Sequence, residues 1–233
     1  MGRNVLISSL GASPGVVTGT VDAIKFRDDV EIHKVITIST SDDQIAHNAV
    51  EQILRPEFED ADFYPRAIEY ENYAIEAEDI ITPEDNKDFL QKFVEHLHEN
   101  IRSDQTDNIY VSLAGGRKTM ASLVFIGVKL IVDCYRIHET YSRKLKRLTH
   151  LLVDDPDIEE FGNTEDLMDA KRDNEDLFLK CMHPINAFGE EEAEKRVRLV
   201  DLSGVFKNAA ELQEECGKIR DGRLTPEVLA KLL

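Results

Sequence analysis

Two short turns carry the residue types that hold phosphate. The first, Gly11-Ala12-Ser13-Pro14-Gly15, follows an apolar run and precedes Val17, Val21 and Ile24 at helical spacing. A helix starting there has unpaired N–H groups and a dipole that favour an anion, and Ser13 adds a hydroxyl. A dinucleotide fingerprint needs glycines where Ser13 and Val16 stand, so Ser13 blocks the close approach of a pyrophosphate. The plainer reading is a strand-to-helix turn with Ser13 as the cap. The second turn is Ala114-Gly115-Gly116-Arg117-Lys118-Thr119. It is no Walker A loop, because Arg117 separates the last glycine from Lys118. Its glycines permit a nest of backbone N–H groups, Arg117 can fork onto phosphate oxygens, and Lys118 supplies a compact charge. Basic residues at a helix start oppose the dipole, and a bound anion resolves that conflict. A solvated charge pair is the bland alternative.

Other candidates are weaker. The seven histidines form no HExxH, and His96-Leu97-His98 lacks the i, i+4 spacing that puts two ligands on one helix face, so no metal site is expected. Arg143 and His150 match the R-x4–6-H spacing of a HEPN ribonuclease, but His150 reads as opening a strand, which makes the match a coincidence. The acidic runs 154–160 and 190–194 read as solvated faces.

The elements that must position the two turns alternate in type. Residues 4–10, 33–39 and 108–113 are short, β-branched apolar runs, the pattern of buried strands, with further strands at 150–154 and 196–202 and one near 67–73. Between them lie helices over 16–26 and 42–54 (capped by Ser41 or Asp42) and one started by Thr82-Pro83-Glu84-Asp85, with Phe89, Phe93, Leu97 and Ile101 as its stripe. A very apolar helix runs from Thr119 to Cys134 and could continue to Arg147; it belongs in the core or a subunit interface. Residues 55–81 otherwise read as acidic and irregular. This order predicts an α/β fold with a Rossmann-like, mostly parallel doubly wound sheet, in which ligands bind beyond the carboxyl ends of the strands. Both glycine turns sit at such ends.

Composition narrows the partners. The 233 residues carry a formal net charge of −18, which argues against binding long nucleic acid through its phosphates. Only residues 101–150 are basic on balance, with 9 basic and 4 acidic side chains, so a focused site for a small anion is expected on a body that repels polyanions. Hydrophobic residues at 42% and charged residues at 32% describe a globular chain. Cys134, Cys181 and Cys216 form no CxxC and cannot all pair with one another, which favours a reducing compartment. The opening apolar run is too short for a signal peptide, and the longest, 120–132, holds Lys129 and falls short of the ~20 residues that span a membrane. A cytoplasmic protein without a membrane partner is expected.

Taken together, LISSLGASPGVV at 6–17 and YVSLAGGRKTMAS at 110–122 resemble the two ligand-binding motifs of the CRISPR-associated Rossmann-fold (CARF) family, and most of all the standalone ring nucleases of type III CRISPR systems. The resemblance covers about residues 1–154, a CARF-like domain. Residues 155–233 form an acidic, α-rich extension of open role: completing the sheet, a dimer arm, a lid or a partner surface. The resemblance implies a homodimer with a cyclic oligoadenylate, typically cyclic tetra-adenylate, across its two-fold axis, and no cofactor. It places Ser13 on the family's first-motif serine, and Arg117 and Lys118 on the basic pair of the second motif. Metal-free cleavage by attack of a ribose 2′-OH then fits the residues: Arg117 and Lys118 on the phosphate, and Ser13 orienting it or the hydroxyl. Gly11, Ala12, Pro14, Gly15, Gly115, Gly116 and Thr119 would cradle the remaining phosphates. The same motifs would serve a sensor that binds without cleaving, and the strand-helix-strand start alone would also suit an NAD(P)-dependent oxidoreductase.

Overall fold

A computed structural model describes residues 2–40, 44–59, 63–77, 79–135 and 143–204, with only the backbone of 133–135. The expected cap at Ser41 or Asp42 and the side chains of Cys134 and Cys216 lie outside the described residues.

Six strands form one sheet in the order β3-β2-β1-β4-β5-β6. They are β1 (Arg3–Ser9), β2 (Lys34–Thr40), β3 (Glu69–Ile75), β4 (Thr106–Ser112), β5 (Leu145–Val153) and β6 (Val197–Asp201). The first five run parallel, and β6 closes one edge antiparallel to β5, pairing Val153 with Val197 and Thr149 with Asp201. The central strands are buried on both faces, which is why β1 and β2 read as unbroken apolar runs.

Each face has its own core. On one, Val5, Ile7, Ile38 and Val111 meet α4 (Pro83–Arg102) and α5 (Lys118–Tyr135) through Phe89, Phe93, Leu97, Val124 and Val128. α4 begins with a reciprocal cap: Asp85 N–H donates to Thr82 Oγ1 at 3.1 Å, and Thr82 N–H to Asp85 Oδ2 at 2.7 Å. On the other face, Leu6, Leu10, Val17, Val21 and Ile24 join α1 (Gly15–Asp28) to the sheet. The far side of α1 is covered too, by α8 (Glu175–Met182) and α9 (Pro184–Phe188), so burial runs almost around its first ten residues.

The structure corrects several expectations. Residues 44–59 are one helical stretch: α2 (Gln44–Asn48), a π-helical turn (Ala49–Leu54) and α3 (Arg55–Glu59). Pro56 has no N–H to give the Gln52 carbonyl, and Lys171 Nζ donates to that oxygen instead, at 3.3 Å. The helix from Lys118 cannot reach Arg147, since β5 starts at Leu145, and His150 lies within β5 rather than opening it. The run 154–160 is not merely solvated. Asp155 is buried, caps α6 (Pro156–Phe161), and pairs with Lys180 at 2.9 Å and Arg196 at 3.0 Å. Two further helices, α7 (Thr164–Asp173) and α10 (Glu190–Arg196), complete the layer leading to β6.

Candidate functional site

β1 and β4 are neighbours, yet the helices that follow them pack on opposite faces of the sheet. The strand order therefore reverses between them, and their carboxyl ends open a crevice of the kind in which α/β sheets hold ligands. Both glycine turns lie there and they touch. Gly11 N–H donates to the Gly115 carbonyl, and a Cβ added at Gly11 would sit 3.0 Å from that oxygen. Gly115 has φ +108°, and a Cβ there would meet the Ser9 carbonyl at 2.5 Å, so both conformation and space require glycine.

Hydroxyls brace the turns from below. Ser8 Oγ donates to the Ala114 carbonyl at 3.0 Å, and Ala114 N–H donates to Ser112 Oγ at 3.2 Å. Thr164 grips the first turn from α7, donating both its N–H (2.8 Å) and its hydroxyl (2.9 Å) to the Ala12 carbonyl. Ser9 differs from these, because its buried Oγ has no hydrogen-bond partner among the described residues. It lies under the second turn: a Cβ added at Gly116 would be 3.2 Å from Ser9 Cβ. A buried hydroxyl without a partner costs free energy, so it marks a place where a partner is expected.

The candidate residues divide by exposure. Ala12, Arg117, Lys118 and Thr119 are exposed, while Ser13, Gly11, Gly115 and Gly116 are half-buried at the crevice. Pro14 occupies the N-cap of α1 in helical conformation with no side-chain cap, and the Ser13 hydroxyl makes no hydrogen bond among the described residues. Pro14 and Gly15 are buried, and Gly15 is held against α8, where a Cβ would meet the Cys181 carbonyl at 2.2 Å. Gly15 thus has a packing reason to be glycine, independent of any ligand.

The two cations are not equivalent. Arg117 Nε lies 2.7 Å from Asp79 Oδ1, whose position is fixed by the Ile80 N–H at 2.8 Å. Lys118 makes no ion pair among the described residues and stands at the first position of α5, where its charge opposes the helix dipole. Reading the sequence missed Asp79, which sits in an acidic stretch without pattern. It also missed Ser9, for which the paired hydroxyls ending an apolar strand were a signal. Two clefts of about 570 and 580 Å³ lie elsewhere, one beside Lys180 and Arg196 and the other at the amino ends of β1–β3 by Arg3, His33 and Glu69. The crevice between the turns carries at its rim the exposed residues Ala12, Arg117, Lys118 and Thr119. Its Gly11 N–H, which a dinucleotide pyrophosphate would use, is already engaged by Gly115. No helix among the described residues is long and apolar enough to cross a membrane.

Among solved structures, Enterococcus italicus Csm6 bound to cyclic hexa-2′-fluoro-hexa-dAMP resembles this protein with a TM-score of 0.51 at 16% identity. The similarity covers 93% of this chain and 46% of that one, so the chain spans about half of its relative's length. The shared fold is the Rossmann-like CARF fold. No curated protein matches the sequence. The profile of CRISPR-associated protein NE0113 matches residues 13–218, and with both glycine turns on neighbouring strand ends of a CARF fold, the chain belongs to that CRISPR-associated family.

Proposed function

We propose that the protein is a ring nuclease: a homodimer that binds a cyclic oligoadenylate, with cyclic tetra-adenylate as the expected ring, and cuts it without a metal ion. The observation that carries this reading is the contact between Gly11 and Gly115, which sets around one crevice the Lys118 charge and the Ser13 hydroxyl, neither of them engaged among the described residues. Ala12, Arg117, Lys118 and Thr119 are exposed at the site, and a second copy related by a two-fold axis would bring a matching set over a ring of the same symmetry. Csm6, whose fold is shared, is bound to a cyclic hexa-adenylate analogue, which supports a cyclic oligoadenylate as the ligand class.

The chemistry follows from positioning. A ribose 2′-oxygen attacks the adjacent phosphorus in line, the bond from phosphorus to the 5′-oxygen breaks, and a 2′,3′-cyclic phosphate remains. The 2′-OH proton leaves to solvent, and the departing 5′-oxygen takes one up. Lys118 and the free edge of Arg117 meet the charge that grows on the phosphate, while Ser13 orients the phosphate or the 2′-OH. Two opposed cuts give linear di-adenylates from a four-membered ring, which would switch off type III CRISPR antiviral signalling.

The deciding experiment incubates radiolabelled cyclic tetra-adenylate and, separately, cyclic hexa-adenylate with the protein in EDTA and resolves the products on a gel. Linear products ending in 2′,3′-cyclic phosphate are expected from the four-membered ring. A bound ring that never shortens would make the protein a sensor, and cleavage that returns only with Mg²⁺ or Mn²⁺ would reject the mechanism.

A further inference from the structure

His183 uses both of its ring nitrogens inside the protein. Nδ1 lies 2.9 Å from Asp22 Oδ2 and Nε2 lies 3.2 Å from Glu57 Oε2, with the ring fully buried. Phe63 stacks on the imidazole at 3.4 Å between centroids. The titratable and charged groups around it are Asp22 on α1, Glu57 on α3, Tyr64, which donates to Asp22 Oδ1 at 3.3 Å, and Lys171 on α7, 3.7 Å from Glu57 Oε1. A neutral imidazole donates from one nitrogen only, so two facing carboxylates call for an added proton. Burial pushes His183 down, but hydrogen bonds and charge from Asp22 and Glu57 outweigh it, and the group is held above its usual 6.5. Burial raises Asp22 as well, while the hydrogen bond and charge of His183 pull it back down, as for a carboxylate facing a protonated imidazole.

This cluster continues into the candidate site along one face of α1. The Cys181 carbonyl abuts Gly15, the Thr18 hydroxyl donates to the Met182 carbonyl, and His183 meets Asp22. Gly15, Thr18 and Asp22 are spaced i, i+3, i+7, which is one helical stripe. Residues 181–183 therefore grip α1 from its first turn for two turns.

We propose that His183 is a positioning residue for the crevice: by bridging Asp22 to Glu57 it locks α1, and with it the 11–15 turn, against residues 181–183, and loss of its proton releases the lock. That the turn serves a cyclic oligoadenylate rests on the function proposed above; the lock itself does not. The sign is fixed by the upward shift. The contribution is complete below the unfolded value of 6.5 and is lost as pH rises through the higher folded value.

The test follows backbone amide exchange over residues 13–24 between pH 6 and 9, corrected for intrinsic rate, alongside titration with cyclic tetra- and hexa-adenylate. Protection of α1 is expected to fall on the order of tenfold across the transition while the α4 and β4 amides stay protected, and ring affinity should fall with it. Glu57→Gln removes one facing carboxylate, so it should move the transition to lower pH. His183→Gln should flatten it, and if that variant does not fold, the Glu57→Gln shift still decides. His150→Ala should leave the profile as in wild type. A flat profile in wild type, an unmoved midpoint in Glu57→Gln, or equal loss of protection throughout the protein would each overturn the lock. If no ring binds at any pH, the ligand reading fails, and the exchange data still decide the lock.

Discussion

The backbone N–H of Gly11 donates to the carbonyl of Gly115, so two turns 104 residues apart in sequence are joined by one hydrogen bond at the carboxyl ends of β1 and β4. That bond depends on the unusual backbone of Gly115, with φ +108°. Gly115→Ala is therefore expected to cost about 1–3 kcal/mol of stability from the backbone alone, and more because the Ser9 carbonyl obstructs the new Cβ. Thermal or denaturant unfolding measures the first effect. Loss of ring binding in protein that remains folded at low temperature measures the second.

Ser9→Ala offers a sharper contrast. The Ser9 hydroxyl is buried without a partner among the described residues, so its removal should leave the ligand-free protein equally stable or slightly more stable. If the hydroxyl completes its hydrogen bonding with a bound ring, the same change should weaken binding about fivefold, the equivalent of ~1 kcal/mol. Melting temperature and affinity then move in opposite directions. A variant that melts lower and binds normally would make Ser9 an ordinary packing residue.

The roles of the charged residues separate in kinetics. Lys118→Ala should reduce cleavage by roughly 10²–10³ and affinity by much less, because its charge matters most as the phosphate gains negative charge. Ser13→Ala should slow cleavage with little change in affinity. His150→Ala should change neither. His150 lies within β5, paired with Val200, where the HEPN-like spacing from Arg143 is incidental to a strand. Single-turnover rates for the three variants check the order, and a dead His150→Ala beside a normal Lys118→Ala would move the chemistry to β5.

The sheet was legible because buried parallel strands leave unbroken apolar runs, and both glycine turns were legible because the positive φ of Gly115 and the close contacts at Gly11 and Gly15 leave glycine behind. The layer between β5 and β6 was much less so. Its helices are short and mostly polar outside, and their meaning lies in contacts with α1, such as Thr164 to Ala12 and Cys181 against Gly15. β3 was only faintly visible, because an edge strand such as Glu69–Ile75 keeps charged residues on its exposed side. The Arg117–Asp79 pair and the His183 cluster join residues 38 and 161 positions apart, and no local pattern announces such pairs.

Asp79 supplies the last prediction, because it makes Arg117 a conditional cation. With Nε held 2.7 Å from Asp79, part of the Arg117 charge is neutralised before any ligand arrives. The pair is half open to solvent, with Arg117 68% exposed, so breaking it should cost at most about 1 kcal/mol of stability. Asp79→Asn keeps the shape and removes the charge. If the pair competes with phosphate, the variant should bind the ring a few-fold more tightly at low salt. The slope of log affinity against log salt should also steepen by about 0.7, as for one more cation meeting a single-stranded backbone. Weaker binding with an unchanged slope would instead make Asp79 the residue that aims the guanidinium at the ring. Titrations of wild type and variant between 50 and 300 mM salt distinguish the two, because competition alters the number of cations available and aiming alters only their geometry.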